Sequence, residues 1–432
     1  MRRCVSSSAA GRARLALLAV ALLCGCRVRE AIVCSEDRDC PTGAACARGS
    51  GQTRGLCATR SISDAAIEDL GPPDMANPEC TPGASPMAQG ICPPERPICD
   101  PSAKCRACAA HAECASDACR LDGTCAATSQ LALVDAAASC SGADGSTTAP
   151  YCDLQTALAS LGGKTVVRVR GASKPYGAAT ITSSVEILGP DVGSPLEAVV
   201  QGGDTPALAL TDVAGTVTIA GLRLAGTKGA LPNLRCTGAT QLVLARLVAA
   251  DAGGFGIESA GCSLSATALR LLGNRQGGLQ HSGGTLALDS SIVGDNLGPG
   301  LEIDTPLDVT LRSLTIVNNQ APPAAGRAGA VHNKHVGTTL AIDASILWNN
   351  SLLAQSPLYG TSGTRLLANV TLVGAENKPP DFAGAHDYHL GGRTANNLAC
   401  CIDQLADGPA RDVDGQARPL GPSFDIGADE VP

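Results

Sequence analysis

Glu258, Glu302 and His332 each follow an apolar residue at the same place in a short recurring stretch, "IES" at 257, "LEI" at 301 and "VHN" at 331. Two carboxylates held ~6.5–9.5 Å apart are what an inverting glycosidase uses, one as acid on the leaving oxygen and one as base on water. A histidine beside them suits proton transfer. In the chain these residues lie tens of positions apart, so only a repeating fold would bring them onto one surface.

The repeat is visible. "TLALDSSIVGDN" (285–296), "DVTLRSLTIVNN" (308–319) and "TLAIDASILWNN" (339–350) share one grammar, and "QLVLARLVAAD" (241–251) and "SLSATALRLLGN" (263–274) extend it upstream. The unit starts Leu234, Ile257, Leu279 and Leu301 are spaced 23, 22 and 22 residues apart, and the step to Val331 is 30. The longer step contains "APPAAGRA" (321–328), which reads as a loop insertion. Apolar residues alternating with period two predict half-buried strands, and links such as "GDN" and "NNQ" suit tight turns. Parallel neighbours need a crossover, and here the rest of each coil supplies it. The expected fold is all-β, a right-handed parallel β-helix. Leucine-rich repeats have similar periods, but their residue order is not followed and glycines occupy the place of their helical segment.

On this reading Leu286, Leu288, Ile292, Val309, Leu311, Ile316, Leu340, Ile342 and Ile346 point inward in columns. Each adds on the order of 1.5–3 kcal/mol when fully buried. Asn274, Asn296, Asn319 and Asn350 recur at one turn, where stacked amides form a structural ladder from coil to coil. If Leu234, Ile257, Leu279, Leu301 and Val331 point in, then Arg235, Glu258, Gln280, Glu302 and His332 stand out as one stripe. Glu258 and Glu302 are two coils apart, ~9.6 Å at the usual strand spacing.

Cysteines define the rest of the chain, 21 in all. Cys34, Cys40, Cys46 and Cys57 form a quartet. Cys80, Cys92, Cys99, Cys105, Cys108, Cys114, Cys119 and Cys125 form an octet. Cys140 and Cys152, Cys236 and Cys262, and the neighbours Cys400 and Cys401 complete the even groups. Even counts within compact segments predict disulfide frameworks, whose connectivity the sequence leaves open. "CRAC" (105–108) has the look of half a zinc site, but oxidised thiols suit an exported chain better. For Cys400 and Cys401 parity favours a bridge, whereas Cα atoms ~3.8 Å apart favour free thiols; both stand. Segment 58–79 is cysteine-free, acidic and proline-bearing, which reads as a linker.

The chain opens with Arg2, Arg3, Arg12 and Arg14, then the apolar "LALLAVALL" (15–23), too short to span a bilayer and suited to a signal peptide. The run ends in "LCGC" (23–26), which resembles a bacterial lipobox. That resemblance implies cleavage after residue 25, a lipid on Cys26 and, with Arg27 following, export to the outer membrane or cell surface. The expected organisation is a signal peptide at 1–25, cysteine-rich modules at 26–57 and 80–127 flanking the linker 58–79, and a cap at 140–163. Coils at 164–378 and a C-terminal capping segment at 379–432 complete it. In the cap, "YCDLQTALASLGG" (151–163) predicts a short amphipathic helix stopped by Gly162.

The modules resemble the short cysteine-rich repeats of secreted surface proteins. "DYHLGG" (387–392) and "DVDGQARPLGPSFDIGADEVP" (412–432) resemble the closing segment of a family of bacterial extracellular right-handed β-helix (pectate-lyase-like) surface proteins with assorted anchors, a likeness spanning about 140–432. It implies fold and location, since most members have no assigned reaction. The physical role expected for this segment is an edge strand tucked against the last coil, with Arg418 paired to Asp412, Asp414 or Asp425. Asp412 and Asp414 are a weak candidate for calcium, which takes 6–8 oxygens. "HNKH" (332–335) and "HDYH" (386–389) are weak metal candidates, because i and i+3 point to opposite faces of a strand.

A net charge of −8 argues against nucleic acid as a partner, and nothing in the sequence asks for a cofactor. Folds of this kind include pectate lyases and polygalacturonases, whose sites carry clustered aspartates, basic residues and aromatic platforms. The stripe has no aromatic residue before Tyr359. The expected function is therefore a non-catalytic surface lipoprotein, attached to the membrane by its lipid and binding a surface glycan or protein. The alternative is a polysaccharide-active hydrolase or lyase working through Glu258, Glu302 and His332.

Overall fold

A computed structural model describes residues 80, 92–322, 327–351 and 379–432, together with the backbone of six further strands at 33–34, 44–47, 55–59, 358–360, 365–369 and 372–373. The chain divides into two units, 1–77 and 78–432. In the first, Gly55–Thr59 is the centre of a three-stranded antiparallel sheet with Val33–Cys34 and Ala44–Ala47, and Cys46 stands opposite Cys57 in register. Cys26 and Cys40, and the side chains of Cys34, Cys46 and Cys57, lie outside the described residues.

The second unit is a parallel β-helix. Three sheets form its faces: sheet A of ten strands (Leu131–Val134 to Arg365–Asn369), sheet B of eight (Ala198–Gln201 to Leu372–Val373) and sheet C of eight (Ala179–Ile181 to Leu358–Gly360). One coil shows the winding: Leu208–Thr211 in C, Thr216–Ala220 in A, Leu222–Ala225 in B, then Leu234–Thr237 in C again. Pairing between coils is parallel throughout, and no helix recurs per coil among the described residues. That excludes the leucine-rich-repeat arrangement.

Alternating Leu, Ile and Val fill one continuous core, in which Leu244, Ile257, Leu279, Leu301, Leu311 and Ile342 are fully buried. The Asn column turns its amides along the axis. Nδ2 of Asn274 donates to Oδ1 of Asn296 (2.9 Å), Asn296 to Asn319 (2.7 Å) and Asn319 to Asn350 (2.9 Å). The same oxygens accept from backbone N–H groups, so each buried amide is satisfied on both sides.

The start differs from expectation. Leu131–Val134 already pairs in parallel with Val166–Val169, so the first strand precedes the cap helix. The helix is Leu154–Ala159, with Asp153 accepting from Thr156 N at 2.7 Å as N-cap. It buries Leu154, Ala157 and Leu158 over the open end of the core.

Seven disulfides lie among the described residues: Cys80–Cys99, Cys92–Cys105, Cys108–Cys119, Cys114–Cys125, Cys140–Cys152, Cys236–Cys262 and Cys400–Cys401. The octet cross-links itself, which gives a module with few large apolar residues its stability. Cys236–Cys262 joins adjacent coils. Cys400 and Cys401 bridge each other despite Cα atoms 3.7 Å apart.

The C-terminal segment departs most from expectation. It adds no strand to the last coil among the described residues; its strands Phe382–Gly384 and Asp387–Leu390 form a hairpin of their own. The segment runs back along the outer face of sheet B. Tyr388 packs with Ile292, Val317, Val413 and Ala428, and Leu390, Ile402, Leu405 and Ile426 cover Ile346. Ile292 and Ile346 therefore point outward, contrary to the inward column expected. In register they match Thr315, whereas Ile316 aligns with Val293 and Leu347 inside. A one-residue offset exchanges the faces of a strand, and here both faces are buried.

Candidate functional site

The stripe on sheet C is in register: Arg235 beside Glu258, then Gln280, Glu302, His332 and the backbone of Tyr359 on successive coils. Strand pairing brings together residues that the sequence separates. It does not leave them as a solvated row. Arg235 Nη2 donates to Glu258 Oε2 at 3.0 Å, and Glu258 is half-buried. Glu302 is 1% exposed and His332 6%.

Glu302 is covered by cations that the pattern of the stripe could not announce. Oε1 accepts from Gln280 Nε2 (2.8 Å) and Lys334 Nζ (2.5 Å). Arg327 Nε stands 3.3 Å from Oε2, at ion-pair distance but without hydrogen-bond alignment. Burial by itself would raise the Glu302 carboxyl. The hydrogen bonds from Lys334 and Gln280 and the charges of Lys334 and Arg327 outweigh it, holding the group below the usual carboxylate range. Burial pushes His332 below the ordinary histidine value, with Lys334 and Arg327 acting the same way against the pull of Glu302. A general acid needs a raised pKa, and Glu302 has moved the other way. It is an ionised anchor for the loop that follows the long insertion.

Beside the stripe Phe255, Glu258, Arg275, Gln276, Gln280 and Arg327 line a hollow of about 350 Å³. Arg275, Gln276 and Arg327 lie in turns and in the insertion, where strand periodicity carries no signal. The hollow offers guanidinium and amide groups beside one aromatic ring and the Glu258 carboxylate, a lining that suits hydroxyls and anions.

The metal candidates resolve differently. The cysteine groups with metal-like spacing, Cys80, Cys92 and Cys105, and Cys108, Cys114 and Cys119, are disulfide-bonded. His389, Asp414 and Asp429 converge, but protein partners already occupy them. His389 Nδ1 meets Asp387 Oδ1, its Nε2 stands 3.2 Å from Asp414 Oδ2, and Arg270 takes the other oxygen of Asp414. Asp429 Oδ2 accepts from Leu390 N at 2.8 Å. Hydrogen bonding to Asp414, against the effect of burial, raises His389 to about 9. Asp412 Oδ1 accepts from Asp414 N and Gln416 N. Asp414 faces Arg270 and His389. Arg418 pairs with Glu430 rather than with Asp412, Asp414 or the Asp425 carboxylate, and donates besides to the Asp425 carbonyl. His335 Nδ1 lies 3.5 Å from Asp304, and His386 Nδ1 2.7 Å from Asp295, each apart from the other histidine of its motif.

No family model and no curated protein matches the chain. Among solved structures it is similar to the crystal structure of pectate lyase Pel9A, with 9% identity over 71% of this chain and 97% of that one and a TM-score of 0.33. The strand topology makes residues 131–373 a parallel β-helix, preceded in the sequence by a disulfide-rich module at 80–125.

Proposed function

We propose that the protein is exported and lipid-anchored through Cys26, and that its β-helix binds a surface glycan or protein along sheet C without turning it over. The observation that carries this reading is the burial of Glu302 among Lys334, Arg327 and Gln280 with its pKa lowered. Glu258 is tied to Arg235 at 3.0 Å. The disulfides support an oxidising compartment. The cationic and amide lining of the hollow at Arg275, Gln276 and Arg327 supports a partner bearing hydroxyl and acidic groups.

The test is a binding titration of the full chain against acidic and neutral polysaccharides. Arg275→Ala and Arg327→Ala should each weaken retention of an acidic polymer, with the fold intact by circular dichroism. Labelling with a fatty acid tests the anchor: Cys26→Ser should abolish incorporation. Polymer retention that ignores both arginine variants would sink the binding reading.

A further inference from the structure

On the corner opposite the stripe, the chain passes from sheet A to sheet B through one residue in the left-handed backbone region. In successive coils that residue is Gly221, Arg246, Ala268, Ser290, Ser313 and Ala344, all with positive φ. Five are small, as suits a tight corner. Arg246, with φ of 51°, is the exception. Neighbouring coils make this turn with alanine or serine, so the turn does not need an arginine, and its side chain calls for another explanation.

That side chain lines a cavity of about 430 Å³ whose walls come from distant parts of the chain. The second cysteine-rich module supplies one wall with Arg120 and Leu121, and the C-terminal segment supplies the other with Arg411 and Asp412; Arg246 and Ala268 lie between. Both appendages are tied down independently: the module by Arg120 to Glu186 (2.7 Å), the C-terminal segment by Arg411 O accepting from Ser290 Oγ (3.0 Å). The volume falls within the range of small-molecule pockets.

The charges around the cavity are nearly all engaged. Arg120 has Glu186, Asp414 has Arg270 and His389, and Asp191 accepts from His111 N at 3.0 Å. Asp412 is pushed toward its neutral form by burial. The Arg246 side chain has no hydrogen bond or ion pair among the described residues, and the Arg411 side chain only its Nη1 bond to the Gly415 carbonyl at 2.6 Å. Burial disfavours the Arg246 cation, Arg411 adds repulsion, and only Asp191 offsets them at a distance. Arg246 and the exposed Arg411 therefore line one half-open cavity together with Asp191, Asp412 and Asp414, and no ion pair joins either guanidinium to these carboxylates among the described residues.

We propose that this cavity binds a small organic carboxylate, held by Arg246 and Arg411, with its body against Leu121 and Ala268. Guanidinium groups match carboxylate geometry in a fork, which makes arginine the residue for such a ligand. The site is separate from sheet C and independent of what binds there.

The test is isothermal titration calorimetry of the full chain with galacturonate, galactose and inorganic phosphate. The variants are Arg246→Ala, Arg246→Lys and, as a surface cation outside the cavity, Lys174→Ala. Ala268 and Ala344 already make the same turn, so Arg246→Ala retains the fold, which a thermal melt verifies. The expected result is saturable binding of galacturonate and none of galactose. Arg246→Ala should weaken it about tenfold or more, Arg246→Lys should weaken it less, and Lys174→Ala should leave it unchanged. Absence of saturable galacturonate binding would overturn the proposal. So would galacturonate binding that keeps wild-type affinity and stoichiometry in Arg246→Ala. Phosphate bound in place of galacturonate would overturn the carboxylate assignment.

Discussion

Arg418 Nε donates to Glu430 Oε2 at 2.7 Å, and both side chains are closed off from solvent. The same guanidinium reaches the Asp425 and Gly427 carbonyls, and Glu430 accepts from the backbone of Leu420 and Asp425. One ion pair thus pins the final loop of the C-terminal segment. Arg418→Ala leaves a buried carboxylate unpaired and should destabilise this segment by about 3–5 kcal/mol. Trp348, the single tryptophan, packs against the segment, so its fluorescence in a denaturant titration reads the loss directly. Arg418→Lys should recover only part of it, because an ammonium lacks the fork.

Gly294 presses on the Tyr388 ring so closely that a Cβ there would lie 2.5 Å from Cε2. Gly294→Ala should therefore lift the 382–390 hairpin and lower stability by about 1–3 kcal/mol. Faster proteolysis within 379–432, with the coils left intact, is the expected readout. An unchanged digestion pattern would mean that the segment does not dock on sheet B.

Asn319 sits inside the amide ladder, donating to Asn350 and accepting from Asn296. Asn319→Ala strands buried polar groups in both neighbouring coils and should cost about 1–3 kcal/mol in urea unfolding. Asn350, at the far end of the described ladder, accepts from Asn319 and donates to the Ile316 carbonyl. Its replacement should cost less.

Stability should fall as pH rises. Burial lifts Asp425 and Asp429 to about 6, so between about pH 4 and 6 the folded state holds protons that the unfolded chain releases. Hydrogen bonding to Asp414 lifts His389 from 6.5 to about 9. Its contribution is complete below pH 6.5 and disappears as pH climbs through 9. Between pH 6.5 and 9 the C-terminal segment should lose on the order of 1–3 kcal/mol. Denaturation midpoints at pH 6, 7, 8 and 9 test this, and His389→Gln should flatten the slope.

The strand pattern made the coils legible, because burying alternate residues in a shared core imposes period two and a constant coil length. Leu279, Leu301 and Val331 aligned from spacing alone, and the same spacing placed Glu258 and Glu302 on one face. The direction of Ile292 and Ile346 was not legible. Both faces of sheet B are apolar there, and alternation cannot distinguish a core from a surface that another segment covers. Glu302 read as exposed because Lys334 and Arg327 reach it from turns and an insertion outside the repeat. Arg246 raised no signal either: its neighbours in the cavity come from positions 120 and 411, joined only by the folding back of both appendages.

The most direct test of the account is a degradation screen of the full chain against acidic and neutral polysaccharides, reading new reducing ends and unsaturated products, with Glu258→Gln and Glu302→Gln alongside. The account predicts no product from any of the three proteins, with binding of an acidic polymer retained by the wild type. Product from the wild type that disappears in either variant would contradict it and make the stripe on sheet C an active site.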